Sequence, residues 1–215
     1  MINIVCTKYG NLYDASYVNH LYKMIKQHTS IQFDFWCQTE KSEGINSDIK
    51  IIPISKLNPK STRYHKISLL ESNLLSGRCI SFDLDIIINK NIDHYLEHQS
   101  DKLVLLYANY KTIEEVKCNN KDRKIYKDMM VNSSIFSWIA GSDNTHEILK
   151  LHYNLQADPY LGSFDRFLFW RCYQHISVFK FNDYCSYFKH GYQSDKTFCI
   201  FNSHRNKRDL KKFWC

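Results

Sequence analysis

The sequence predicts a single α/β domain with a mixed, mostly parallel central sheet flanked by helices. Three observations lead there. Short apolar, β-branched runs alternate with segments of helical periodicity through the first half, the pattern of repeated strand–helix–strand units. The 215 residues suffice to bury one large core, and only 3 prolines and 6 glycines leave little chain for linkers. Hydrophobic residues make up 44% and charged residues 24%, a balance that excludes a disordered chain.

The elements follow in order. Residues 2–7, short and β-branched, read as a buried strand that Gly10 breaks. From 13 to 27 the apolar positions Tyr17, Val18, Leu21, Tyr22, Met24 and Ile25 recur at helical spacing. Residues 31–37 alternate as a second strand, and 49–54 form a third, ended around Pro53. Over 64–75, Ile67, Leu70, Leu74 and Leu75 share a helical face, and Gly77 stops it. A strand at 79–82 then runs into Asp83-Leu84-Asp85 and on through Ile86-Ile87-Ile88. Next come a short helix at 92–98 and a buried strand at 103–107. The polar stretch 110–131 reads as a mobile loop. A strand at 134–139 precedes a helix at 145–155 that Asp143 or Asn144 would cap. A helix at 164–174 and strands at 178–181 and 197–201 complete the set, with no repeat and no low-complexity segment.

The net charge is +7 and the pI about 8.9, which suits an anionic partner such as nucleic acid, an acidic membrane face or a phosphate-bearing substrate. The basic residues are scattered except for the tail from Arg205 to Lys212, and no zinc-finger spacing or arginine-rich helix argues for nucleic acid. The 8 cysteines form no CxxC pair, and several interrupt apolar strands, where a free thiol behaves as a small hydrophobe. A reduced, cytoplasmic compartment is expected. The start Met1-Ile2-Asn3-Ile4-Val5-Cys6 lacks the pattern of a signal peptide, and no apolar run approaches the ~20 residues of a membrane span. The end, Trp214-Cys215 straight after a basic run, is compatible with the first domain of a longer polypeptide.

The informative feature is the pair of carboxylates in Phe82-Asp83-Leu84-Asp85-Ile86, set in an otherwise apolar run. In a strand, Asp83 and Asp85 would project from one face, about 6–7 Å apart. Two like charges there are costly unless a cation neutralises them. A hard divalent ion, Mg2+ or Mn2+, shared with substrate phosphates meets that need. The carboxyl end of a central strand is also where open α/β sheets bind ligands.

With these residues in place the chain resembles the nucleotide-sugar glycosyltransferases of the GT-A type, the family-8-like and bacterial or viral surface-glycan enzymes in particular. Thr7-Lys8-Tyr9-Gly10 followed by Tyr13, Tyr17-Val18-Asn19 and Leu21-Tyr22 is similar to the family's opening strand and loop. Arg63-Tyr64-His65-Lys66-Ile67 resembles the segment before the acidic motif, and Phe82–Ile88 the D-x-D strand. Asn132-Ser133-Ser134-Ile135-Phe136-Ser137-Trp138 resembles the strand on the sugar and acceptor side. Gly162-Ser163-Phe164-Asp165 stands where relatives carry a Gly-Asp-Gln-like turn, and Phe201-Asn202-Ser203-His204 replaces the usual Phe-His-Gly.

The resemblance implies a single GT-A (nucleotide-diphospho-sugar transferase) domain over 1–215. Residues 1–90 would form the nucleotide half and 91–215 the sugar and acceptor half. It implies a metal-dependent hexosyl transfer from a UDP-sugar to a glycan, glycoprotein or glycolipid hydroxyl, with retention of configuration. Asp83, Asp85, His204 and Asn202 would surround Mn2+ or Mg2+. Thr7, Lys8, Tyr9, Tyr13, Lys66, Asp83 and Lys207 would hold the nucleotide, with Arg205 a further base near the diphosphate. Asn132 and Asp165 would meet the donor sugar, while Trp138 and Trp170 read as core anchors. No nucleic-acid partner is expected, peripheral membrane contact is compatible with the charge, and a monomer or weak homodimer is anticipated. Two other classes compete. A non-catalytic basic module for nucleic acid or membranes would bind in a salt-sensitive, metal-independent way. A haloacid-dehalogenase-like phosphatase would carry Asp-x-Asp-Gly-Thr near its start, whereas Ile86-Ile87-Ile88 follows the acids here. A catalytically dead transferase-like fold is a third reading.

Overall fold

The computed structural model describes residues 1–54, 62–71, 73, 75–111, 130–154, 163–181, 183–202 and 207–214, the side chains of 62–64 and 207–208 excepted. Among the described residues the strands are β1 (Ile2–Lys8), β2 (Phe33–Thr39), β3 (Lys50–Pro53), β4 (Gly77–Phe82), β5 (Ile86–Ile88), β6 (Leu103–Tyr107), β7 (Val131–Ala140), β8 (Ile176–Val178), β9 (Tyr184–Ser186) and β10 (Phe198–Ile200). The helices are α1 (Ala15–His28), α2 (Thr62–Leu70), α3 (Asp93–Leu96), α4 (Asp143–Asn154), α5 (Phe164–Arg171) and α6 (Tyr187–His190), with a 3-10 helix at Lys207–Phe213. The fold is α/β, with a mixed, mostly parallel sheet of order β3-β2-β1-β4-β7-β6-β8 and a smaller sheet β5-β10-β9. No helix among the described residues is long and apolar enough to cross a membrane.

The chain forms two compact units, interleaved in sequence. The first comprises Met1–Ser55, Ile80–His98 and Phe181–Cys215. Its parallel strands β1, β2 and β3 keep an unbroken register, Cys6 opposite Cys37 and Trp36 opposite Lys50. Val18, Leu21, Met24 and Ile25 form the buried stripe of α1, at the spacing the sequence shows. Asp14 caps this helix by accepting from the Ser16 N–H at 2.9 Å. In the small sheet β10 runs antiparallel to β5 and parallel to β9.

The second unit comprises Lys56–Cys79 and Gln99–Lys180. Here β6 pairs antiparallel with β7 and parallel with β8, while α2, α4 and α5 pack on one another and α4 and α5 reach β7. Phe164, Phe167, Leu168, Phe136 and Trp138 make its core. Trp138 stacks on Phe136 at 5.2 Å, the anchor role its sequence position suggested.

Several expectations need correction. The α2 helix ends at Leu70, earlier than the apolar face through Leu75 implied. The cap of α4 is Ser142, whose hydroxyl accepts from the Thr145 N–H at 3.3 Å, rather than Asp143 or Asn144. The 164–174 helix stops at Arg171, and a 3-10 turn, Tyr173–His175, leads into β8, which ends at Val178. The acidic pair does not lie in a strand. The chain leaves the large sheet after Phe82, turns through Asp83-Leu84-Asp85, and enters the small sheet at Ile86. Mid-strand, both carboxylates would be buried between apolar faces, whereas the turn leaves Asp83 half-exposed.

Of the segment read as a basic tail, Arg205–Lys212, the described part lies in the 3-10 helix Lys207–Phe213 with Leu210 buried, and it docks on α1. Trp214 stacks on His20 at 4.4 Å and meets Tyr17 edge-on. The Lys211 ammonium lies 4.8 Å from the Tyr17 ring and 3.3 Å from Asp14. Burial, and secondarily the Lys23 charge, lower the His20 pKa to about 4. An unfolded imidazole titrates near 6.5. The unfolded chain therefore binds more protons between these values, and stability is lost as pH falls through that window. His20→Phe, which keeps a ring against Trp214, should flatten this component. Melting curves of both proteins from pH 7 to pH 4 check it. Parallel curves would show that His20 stays neutral for no energetic reason.

Candidate active site

The first unit holds the acidic turn. Asp85 is 5% exposed and Asp83 half-buried. The Asp85 carbonyl accepts from the Phe201 N–H at 2.8 Å, so the turn is tied to the end of β10. Both carboxylates act on Tyr13: burial first, then the charges of Asp85 and Asp83, push its phenol far above the ordinary value. Its hydroxyl is buried. Asp83 also lies near enough to Cys6 to help raise that thiol, after burial and the neighbouring Cys37. The charges of both acids thus reach Tyr13, and that of Asp83 reaches Cys6 within β1. There Thr7 donates to the Gln38 side chain at 3.1 Å, and the Gly10 N–H, in a left-handed backbone with φ 63°, donates to Glu40 at 2.6 Å.

Lys8 is 6% exposed as a residue, and among the described residues no hydrogen bond or ion pair of its ammonium is seen. Asn202 is exposed, and its side-chain oxygen accepts from the Ser186 hydroxyl at 2.9 Å. His204 and Arg205 lie outside the described residues, as does the side chain of Lys207. Among the described residues no group of three metal-ligating side chains forms.

The second unit brings three other predicted residues to one place. The register of β6 on β7 jumps between Leu105–Phe136 and Leu106–Asn132, so residues 133–135 bulge out of the ladder. The bulge's backbone is met by side chains. The Ser133 N–H donates to Asp165 at 2.9 Å, and the Ser133 carbonyl accepts from the Lys66 ammonium at 2.7 Å. Lys66 also reaches the Ser133 hydroxyl at 3.0 Å. The Ser134 N–H donates to Asn132 at 2.7 Å, while the Asn132 amide donates to the Tyr110 hydroxyl at 3.0 Å. Asp165 stands in the first turn of α5, which Ser163 caps through the Arg166 N–H, where its charge also suits the helix dipole.

No protein-family model matches the sequence, and no curated protein does. Solved structures do. The crystal structure of galactosyltransferase LgtC in complex with donor and acceptor sugar analogues matches at TM-score 0.66 and 11% identity, covering 98% of this chain and 94% of that one. An active-site mutant of LgtC matches at TM-score 0.63 and 10% identity, again over 98% and 94%. A glycosyltransferase involved in the glycosylation of the major capsid of PBCV-1 matches at TM-score 0.60 and 9% identity, over 98% of each chain. The chain has the GT-A glycosyltransferase fold. At this level of identity the likeness is one of fold, and it runs through nearly every residue.

Within the GT-A fold, the two groups of residues divide between the units. Asp83, Asp85, Tyr13, Thr7 and Lys8 belong to the first, and Lys66, Asn132 and Asp165 to the second. Tyr9, also in the first, is half-buried. Sequence reasoning missed Ser133, Tyr110 and Phe201. The first two are ordinary until the bulge shows what they hold, and Phe201 contributes only its backbone.

Proposed function

We propose that this chain is a metal-dependent glycosyltransferase that moves a hexose, with retention, from a UDP-sugar to a hydroxyl of a glycan, glycoprotein or glycolipid. The observation that carries the reading is the pair of carboxylates, Asp83 and Asp85, on one turn that the Phe201 N–H ties to the end of β10. The three fold matches described above are glycosyltransferases and support the same class. Two carboxylates suit Mg2+ or Mn2+, which are held by one or two acids while phosphate oxygens and water fill the other positions. Asp83 and Asp85 would hold the ion, with Asn202 or His204 completing the set. When bound, it would stabilise the charge on the departing diphosphate.

The chain's own residues do the rest. Lys8 would place its ammonium against the diphosphate, adding positive charge where negative charge develops, and Lys207 and Arg205 would add to it. Thr7 and Tyr9 would contact the nucleoside. Tyr13, whose buried phenol feels the charges of the acidic turn, would contact the nucleoside as well. Asp165 and Asn132 would meet the sugar hydroxyls, with Lys66 fixing the Ser133 backbone between them. Polar groups set this way discriminate against sugars that lack the matching hydroxyl.

A melting-temperature panel of UDP, GDP and CMP, each with and without Mn2+, tests the reading. UDP with Mn2+ should stabilise by about 2.7 kcal/mol at one hundred times its dissociation constant, and GDP and CMP by less. Stabilisation that ignores the metal for every nucleotide would overturn it, and binding that vanishes with salt alone would favour the basic-module reading. Hydrolysis of a UDP-hexose panel then identifies the donor.

A further inference from the structure

We propose that Cys185 and Cys199 form an oxidisable dithiol, which hydrogen peroxide closes to a disulfide across the edge of the small sheet. The geometry begins with register. Cys185 on β9 lies directly opposite Cys199 on β10 in a parallel pair. Opposed residues of adjacent strands present their side chains to the same face, about 4.8 Å apart, within the span a disulfide bridges. Both cysteines are buried and free. The influence of the neighbouring Cys199 thiol is the main cause holding Cys185 below the ordinary thiol value, while Cys185 and burial raise Cys199. Cys185 is therefore the nucleophile and Cys199 the resolving thiol.

A second pair in the same unit supplies the contrast. Cys6 and Cys37 are also opposed in a parallel register and buried. β1, however, is an interior strand of the seven-stranded sheet, and burial drives Cys6 well above the ordinary value. β9 is a three-residue strand at the edge of its sheet, and short edges open at low cost. Peroxide can reach the outer pair by local opening, and the inner pair only by opening the large sheet.

The chemistry balances. The Cys185 thiolate attacks one peroxide oxygen and the O–O bond breaks. This leaves Cys185 sulfenic acid and hydroxide, which takes up the proton that Cys185 lost. The Cys199 sulfur then attacks the sulfenic sulfur, the S–O bond breaks, and the thiol proton leaves with the oxygen as water. Two thiols lose two electrons, and one peroxide becomes two waters. The consequence reaches the acidic turn, because β10 runs on into Phe201, whose N–H holds the Asp85 carbonyl. A covalent bond from β9 to β10 stiffens that anchor.

The test treats the whole chain with hydrogen peroxide, alkylates remaining thiols in denaturant, and maps non-reduced peptides by mass spectrometry. A peptide linked through Cys185 and Cys199, two hydrogens lighter and separated by dithiothreitol, is expected. It should form about tenfold or more faster than any Cys6–Cys37 link, since an edge opens at lower free energy than an interior strand. In Cys199→Ser the link should vanish and Cys185 should take a sulfenic-acid label such as dimedone. The wild-type map needs no variant to fold. Recovery of both residues as alkylated thiols, linkage of Cys185 to any other cysteine, or an inner link forming as fast would each overturn the proposal.

Discussion

Replacing Asp85 by asparagine is expected to remove the stabilisation that UDP with Mn2+ confers, while leaving the unliganded protein at least as stable as before. The first effect follows from the loss of one of two carboxylates in the turn; an amide oxygen is a far weaker partner for a divalent ion. With several kcal/mol of charge stabilisation lost at the leaving group, transfer should fall by about a thousandfold or more, or ~4 kcal/mol. The second effect has the opposite sign. Asp83 and Asp85 are like charges acting on the same buried phenol, and neutralising one relieves their repulsion. The amide keeps the shape of the side chain beside Tyr13, so little packing is lost. Wild type should therefore gain roughly 5–10 °C with ligand, from a few kcal/mol spread over a chain of this size, and the variant should gain nothing. A variant that loses its unliganded stability and keeps its ligand response would assign Asp85 to scaffolding.

Asp165→Ala should act the other way round, chiefly on folding. It leaves the Ser133 N–H, in a residue only 4% exposed, without its acceptor. An unmet buried donor costs about 1–3 kcal/mol, or roughly 2–10 °C here. Asp165→Asn retains an acceptor oxygen and should recover most of that loss. Lys66 grips the same residue from its carbonyl side, so Lys66→Met and Asp165→Ala together should cost less than their sum, the mark of a shared network. The asparagine variant separates the two roles of Asp165. If the carboxylate meets the donor sugar, Asp165→Asn should fold almost normally and still lose transfer, by about a hundredfold or more. If its work ends at the bulge, transfer will track the melting temperature.

The first half of the chain was legible because its periodicities are clean. The β-branched run at Ile2–Thr7 and the stripe of Val18, Leu21, Met24 and Ile25 have only one comfortable structure each, and both formed where expected. The acids were found because charge in an apolar run has to be explained, but their setting was misread. Pattern cannot tell a strand that carries two carboxylates from two strands joined by a turn, since Ile86–Ile88 is apolar either way. β9 left no trace at all. Tyr184, Cys185 and Ser186 neither alternate nor run apolar, and only pairing with β10 makes them a strand. The bulge in β7 was hidden for the same reason. Asn132, Lys66 and Asp165 were picked out by resemblance, whereas their shared attachment to residues 133 and 134 depends on a register slip that no local signal announces.

The first unit is assembled from three stretches of chain separated by more than eighty residues at one point. Such long-range closure slows folding, because distant segments must be gathered before their contacts repay the lost freedom. During synthesis β1 and β2 can pair early, yet the small sheet has to wait for β9 and β10, which are made among the last. Until then Ile86, Ile87 and Ile88 have no strand to cover them, and a nascent chain paused before residue 184 would present that apolar triplet to chaperones or to its neighbours.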